Sequence, residues 1–334
     1  MRIFLTGGTG LLGVHLVRRL ISDGHALTVV ARNAEKASRV LPADPRVTVV
    51  AGDLEQPESL VPMLSGHDVV ILAGALFNDY YTVGSDWPRF QRTNVDGTMR
   101  LLRAARDAGV DRAIFVSSSG ALADPHDALL NPETLTDLYR RSKVLGELAI
   151  RNAADLRGYP IVTIRPGWIF GPDDVTPTVT GRMAKDLATK GKAEIVAGRP
   201  GPVVDARDVA EGIARVIDQV HRTDSFNLVG HNLPASDALR AICRHIPGSS
   251  VWAAPLPLAV GLSRVFEVRT RLTGVVNPMP LEGLRFLSRG HTVDGTKATR
   301  ELGLAYRAFD ETARDVAAWA VVSTQTNAAV RGTA

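Results

Sequence analysis

Tyr139 and Lys143 stand four residues apart in a stretch whose apolar spacing predicts a helix over 138–152. At that spacing the two side chains share one helix face. An ammonium beside a phenol favours the phenolate and lowers its pKa, which makes the phenol proton available to a carbonyl oxygen near neutral pH. Solvated helices carry the same pair with no chemistry attached, so its meaning depends on what surrounds it. Ser117, Ser118 and Ser119 follow directly on Ala113–Val116, which reads as a strand. Hydroxyls at a strand's carboxyl end lie where open α/β sheets hold ligands. Serines also form turns, and at least one of these three is expected to do only that.

The elements that would position these groups begin at the N-terminus. Leu5-Thr6-Gly7-Gly8-Thr9-Gly10-Leu11-Leu12-Gly13 follows a short apolar run and leads into Val14–Ile21, which is spaced for a helix. Strand, glycine turn and helix in that order form a phosphate cradle, in which free N–H groups at the helix start face a pyrophosphate. Residues 26–31 then read as a second strand, closing a right-handed parallel β-α-β unit. In dinucleotide folds the end of that strand faces the adenosine ribose, where a carboxylate favours NAD and an arginine accommodates the phosphate of NADP. The residues there are Val30-Ala31-Arg32-Asn33, which point to NADP. Asp53, after a third strand over 47–51, either accepts from an adenine amino group or caps the next helix. Ala73-Gly74-Ala75 leave a fourth strand over 68–72, and their small size suits either a flat ligand or a tight turn.

The remaining chain is read more coarsely. Residues 76–92, with Phe77, Tyr80, Tyr81, Trp87 and Phe90, are an irregular aromatic stretch, either a lid or a local cluster. Residues 94–108 predict a long helix ended by Gly109. Further strands are expected over 161–164, 193–197 and 225–229, and helices over 179–190 and from 205 to 220. Past residue 231 the pattern changes to helices separated by prolines, with an apolar stretch at 252–262 that could pack as core, line a pocket or rest on a membrane surface.

Composition bounds the function classes. The 334 residues are 45% hydrophobic and 22% charged, ordinary for a globular protein, and the net charge of +4 is the balance of 39 basic and 35 acidic residues. Without a dense basic block interleaved with aromatics, no nucleic-acid partner is expected. Cys243 is the only cysteine, so no intrachain disulfide can form and no metal is expected. The N-terminus reads as a strand rather than a signal peptide, and the longest apolar runs fall short of the roughly 20 residues needed to cross a bilayer. A cytoplasmic protein with no integral membrane segment is the expectation.

Taken in order, seven motifs resemble the extended short-chain dehydrogenase/reductase family, the NAD(P)-dependent epimerases and dehydratases. They are Thr6–Gly13, Gly52-Asp53-Leu54, Asn94–Thr98, Val116–Ser119, Tyr139–Lys143, Arg165–Pro172 and Val204–Ala210. The resemblance implies an α/β fold, a Rossmann-type doubly wound parallel sheet with a smaller, mainly helical C-terminal substrate lobe. The nucleotide-binding domain would comprise 1–165 plus about 193–230, the substrate lobe about 166–192 plus 231–322, and residues 323–334 a flexible tail. It implies cofactor contacts from Thr6, Gly7, Gly10, Leu11, Leu12, Gly13, Arg32, Asp53, Leu54, Ala73, Gly74, Ala75, Tyr139, Lys143 and Pro166. Tyr139 would be the acid or base, Lys143 its partner on the nicotinamide ribose, Ser119 the hydroxyl that orients the substrate with Ser118 in reserve, and Asn94 a support for the central sheet and a proton relay.

Departures from the pattern select among subfamilies. Sugar-nucleotide enzymes commonly carry Val-Tyr-Gly after the serines and Tyr-Gly-x-x-Lys at the pair, whereas this chain has Gly120-Ala121-Leu122 and Tyr139-Arg140-Arg141-Ser142-Lys143. With Arg32, these differences favour an NADP-dependent carbonyl or alcohol reductase acting on a small, largely apolar molecule, resembling dihydroflavonol reductases and hydroxysteroid dehydrogenases. A sugar-nucleotide epimerase or dehydratase with bound NAD, and a non-catalytic nucleotide sensor, are the alternatives. Because relatives often dimerise through helices beside the catalytic one, a homodimer is also an expectation.

Overall fold

Seven strands form one sheet in the order β3-β2-β1-β4-β5-β6-β10, and every pairing in it is parallel. The computed structural model describes residues 1–77, 87–175, 178–273, 281, 284 and 288–332. The sheet strands are β1 (Arg2–Thr6), β2 (Ala26–Ala31), β3 (Val47–Ala51), β4 (Val69–Leu72), β5 (Arg112–Val116), β6 (Ile161–Pro166) and β10 (Asp224–Leu228). β4 and β6 are buried along their whole length, as parallel strands covered on both faces must be.

One face is covered by α1 (Leu11–Ser22), α7 (Ala206–Gln219) and α10 (Thr296–Leu302). Val14, Val17 and Leu20 of α1 pack there with Ile213 and Ile217 of α7 and Leu302 of α10. The other face carries α4 (Gly97–Asp107) and the end of α5 (Leu138–Asn152), with Met99, Leu102, Ala105 and Ile150 packed on Phe4, Val70 and Phe115. This three-layer arrangement is the Rossmann-type fold. The order reverses at β1 and β4, so the crevice beyond their carboxyl ends, where such sheets bind ligands, opens at Thr6 and Leu72.

A second group of elements gathers around its own apolar cluster, which includes Phe170, Leu187, Leu239, Ile242, Phe309 and Val316. It contains β7 (Trp168–Phe170), β9 (Gly201–Asp205) and β11 (His231–Leu233) in one small sheet and β8 (Lys192–Val196) with β12 (Ser250–Ala254) in another. Its helices are α6 (Val179–Lys190), α8 (Ala235–Cys243), α9 (Leu256–Thr273) and α11 (Phe309–Gly332). Among the described residues, no helix is long and apolar enough to cross a membrane.

Several expectations are corrected here. The strand expected over 193–197 in the nucleotide-binding domain is β8, which pairs in parallel with β12, from Lys192 opposite Ser250 to Val196 opposite Ala254, and not with the seven-stranded sheet. Strand periodicity says that a segment is extended but not which edge it joins. The expected tail from 323 is helical through Gly332, because α11 continues past its packed residues Val316 and Ala320. The helix expected from Asn94 begins instead as a π-helical turn, Gln91–Asp96, between a short helix α3 (Trp87–Phe90) and α4. Of the aromatic stretch 76–92, residues 78–86, including Tyr80 and Tyr81, lie outside the described residues.

Candidate active site

The glycine turn is held by contacts that exclude a side chain. Gly7 has φ +77°, and a Cβ there would stand 2.5 Å from Gly74 N. A Cβ on Gly13 would stand 2.2 Å from Gly7 O, so α1 rests directly on the turn. Gly10 is the N-cap of α1 and provides no side-chain cap, which leaves the helix-start amides to another acceptor. Leu11 is buried and Leu12 half-buried on the first turn. Thr6 Oγ1 accepts from Gly74 N at 3.1 Å, fastening the exit of β1 to that of β4. Ala73, Gly74 and Ala75 are all half-buried along this crevice, and Leu54 Cδ1 would meet a Cβ on Gly74 at 2.6 Å. An uncapped helix start over a turn closed to side chains fits a pyrophosphate, by hydrogen bonding and by the positive end of the helix dipole.

Two further residues flank this cradle. Arg32 is exposed just past β2 and makes no ion pair among the described residues, while its neighbour Asn33 caps α2 (Ala34–Ser38) by accepting from Lys36 N at 2.7 Å. Asp53 accepts from Glu55 N at 3.0 Å and so closes a turn; it does not cap a helix, since the next helical turn, Pro57–Ser59, has Gln56 as its N-cap. A carboxylate keeps further acceptor capacity after one such bond.

Lys143 is 3% exposed and donates from Nζ to Val116 O at 2.8 Å, which places the α5 pair at the exit of β5 beside the serines. Its ammonium lies 5.6 Å from the Tyr139 ring centroid and 5.2 Å from that of Phe115. Phe77 stacks edge-on against Tyr139 at 4.9 Å between centroids. Burial lowers Lys143 to about 8, and the Glu147 carboxylate opposes that shift. The expected lowering of the Tyr139 pKa is not found: burial pushes it above the usual phenol value, and Asp137 pushes the same way. Desolvation prevails here, and the Lys143 ammonium is engaged by a main-chain carbonyl.

The serines have separate surroundings. Ser117 is buried at the end of β5, its N–H donating to Ile164 O at 2.7 Å. Ser118 accepts from Gly120 N at 3.1 Å and caps the turn Ser119–Ala121. Ser119 is 2% exposed and, with Ser118, lines a cleft shared with Arg140, Trp168, Pro202 and His291. Arg140 donates from Nε to Gly120 O at 2.9 Å. Pro166, the last residue of β6, is buried opposite Leu228 of β10.

Asn94 is 4% exposed in the π turn. It accepts from Leu76 N at 2.7 Å and donates to Leu76 O at 2.9 Å and to Ser142 Oγ at 2.9 Å. Ser142 Oγ donates in turn to Tyr139 O at 2.7 Å. Asn94 therefore links the exit of β4 to the first turns of α5, and π turns frequently mark functional sites.

Sequence reasoning missed three contributors. His291 donates from Nε2 to Ser119 O at 2.9 Å, joining a segment 172 residues away to the serine turn, and no local pattern marks it. Arg165 and Glu147, each 1% exposed, form a buried ion pair with contacts of 2.7–3.0 Å directly behind the α5 pair. Glu147 lies one turn after Lys143, a spacing that signals a shared helix face but not a partner on β6. Arg165 also reaches Asp127 at 2.5 Å and Asn227 at 3.3 Å.

The closed glycine turn at the β1–β4 crevice and the Tyr-Lys pair at the β5 exit fit a nucleotide-dependent enzyme class on this fold. The chain belongs to the NAD dependent epimerase/dehydratase family, whose sequence profile matches residues 3–229. It is 27% identical over 337 residues to a provisionally named dihydroflavonol 4-reductase of Synechocystis sp., covering 95% of this chain and 93% of that one. It is 28% identical over 337 residues to a 4-hydroxy-2-methyl-3-oxo-4-farnesyl-3,4-dihydroquinoline-1-oxide ketoreductase of Stigmatella aurantiaca, covering 92% of each. The crystal structure of gox2253 superposes with a TM-score of 0.75 at 26% identity, covering 95% of this chain and 97% of that one. The chain is accordingly an NAD(P)-dependent enzyme of the extended short-chain dehydrogenase type.

Proposed function

We propose that the protein is an NADP-dependent reductase that converts a carbonyl on a small, largely apolar substrate to an alcohol. The observation that carries this reading is the hydrogen bond from Lys143 Nζ to Val116 O, which sets the α5 pair at the β5 exit, from which Ser117, Ser118 and Ser119 follow in the chain. Trp168, Pro200, Pro202, Val203 and Leu233 supply the apolar part of the cleft lining. Arg32 supports NADP: it is exposed at the strand end that faces the ribose in such folds, with no carboxylate paired to it among the described residues. The names of two relatives that this chain spans almost end to end, a dihydroflavonol 4-reductase and a ketoreductase, support reduction.

The residues that would hold NADP are Thr6, Gly7, Gly10 and Gly13 with the α1 amides at the diphosphate, Arg32 at the ribose phosphate, Asp53 and Leu54 at adenine, and Ala73, Gly74, Ala75, Lys143 and Pro166 along the crevice. When bound, the nicotinamide supplies the hydride. Ser119 Oγ donates to the substrate carbonyl oxygen and holds it. Tyr139 then gives its phenolic proton to that oxygen. Its raised pKa keeps the phenol in the acid form, which suits the reductive direction, because the alkoxide produced is the stronger base and takes the proton readily. Lys143 carries positive charge behind the phenol, and Asn94 keeps α5 in register with the β4 exit.

Tyr139→Phe should abolish NADPH-dependent reduction across a panel of carbonyl compounds while NADPH still binds, and undiminished turnover would sink the assignment. Arg32→Glu should reverse the preference between NADPH and NADH by at least about tenfold, the loss of one charge-assisted contact. Denaturing the purified protein and identifying the released nucleotide separates the epimerase alternative, which tightly retained NAD would indicate.

A further inference from the structure

Half of the ten large apolar side chains exposed among the described residues lie on one helix: Leu258, Leu262, Val265, Val268 and Leu272 of α9 are 41–80% exposed. At about 100° per residue they fall in a sector about 120° wide. The opposite side of α9 is the packed one, with Ala259 and Ser263 fully buried and Leu256 and Val260 set against Val196 and Leu284. The helix is thus apolar on both sides, and its outer face meets water.

Two arginines share this outer side of the helix: at about 100° per residue Arg269 falls within the stripe and Arg264 about 40° beyond its edge. Arg264 and Arg269 are exposed and make no ion pair among the described residues. Exposed arginines elsewhere differ in this: Arg18 pairs with Asp173, Arg103 with Asp155 and Arg244 with Asp310, whereas Arg32 and Arg199 pair with no carboxylate among the described residues. Glu267, the only acidic residue of α9, is half-buried and lies toward the packed side. Trp252, 54% exposed on β12 shortly before the helix begins, adds a side chain that favours an interface between apolar and polar surroundings.

We propose that α9 is an interfacial helix that docks this lobe on an anionic lipid surface. Its apolar stripe would enter the boundary between headgroups and acyl chains, and Arg264 and Arg269 would meet lipid phosphates. The helix is 18 residues long, about 27 Å, and lies on the surface instead of spanning it. Charge also favours lipid over a second copy of the chain. A two-fold contact along this face would bring unpaired arginines together, with no acid in the sector to neutralise them.

The test is flotation of the intact protein with vesicles of phosphatidylcholine, with and without phosphatidylglycerol. The protein should float with the anionic vesicles only, and less as salt is raised. Arg264→Gln with Arg269→Gln should lower partitioning about thirtyfold, the combined effect of two basic residues at an anionic surface. Leu262→Ser with Val265→Ser should abolish it with thermal unfolding unchanged, since both side chains are already in water. Failure to float, equal flotation of the arginine variant, or dimerisation in light scattering that Leu262→Ser with Val265→Ser disrupts without any vesicle binding would each overturn the proposal.

Discussion

Removing Glu147 should cost this protein far more than removing any carboxylate on its surface. Glu147 and Arg165 are each 1% exposed, and the guanidinium donates to the carboxylate in three contacts of 2.7–3.0 Å. Glu147→Leu leaves a buried cation whose remaining carboxylate, Asp127, is 61% exposed. Stranding one partner of a buried pair costs about 3–5 kcal/mol. Because Asp127 and Asn227 still accept from Arg165, a loss near the lower end, about 3 kcal/mol, is expected. The double variant Glu147→Leu with Arg165→Met should recover most of that loss, since replacing both charges by apolar groups is often neutral. Glu35→Gln, which breaks a pair exposed by 75% and 78%, should change stability by less than about 0.5 kcal/mol. Equilibrium urea unfolding of the wild type, both single variants and the double variant gives the coupling directly. A single variant within about 1 kcal/mol of wild type, or a double variant as unstable as the sum of the singles, would refute the reasoning.

Two further predictions concern the same elements. Lys143 is lowered by burial from 10.5 to about 8, so between those values the unfolded chain binds more protons than the folded one. Stability from this group therefore rises with pH through that window, and the wild-type advantage over Lys143→Met should grow by about 3 kcal/mol from pH 8 to pH 10.5; a flat difference in urea unfolding would contradict it. Gly13→Ala should lose about 2 kcal/mol or more of stability from overpacking and weaken nucleotide binding measured by calorimetry, because its methyl would stand 2.2 Å from Gly7 O. Unchanged binding would show that the turn can move.

What could be read from the chain alone was local. The glycine turn between β1 and α1, the limits of α5 at Leu138 and Asn152, and the strand Ala26–Ala31 each follow from periodicity and turn residues within one window. Those windows also contain most of the candidate site, since Gly7, Gly13, Tyr139 and Lys143 are marked by type and spacing. The order of motifs then made the family legible. Only the tertiary structure decided what depends on partners far along the chain. It set β8 beside β12, His291 against Ser119, and Arg165 behind Glu147. It also reversed one piece of electrostatics. Spacing places Lys143 near Tyr139, but the pKa of a phenol answers to the solvent it has lost as well as to the charge it has gained, and burial is a property of the whole fold.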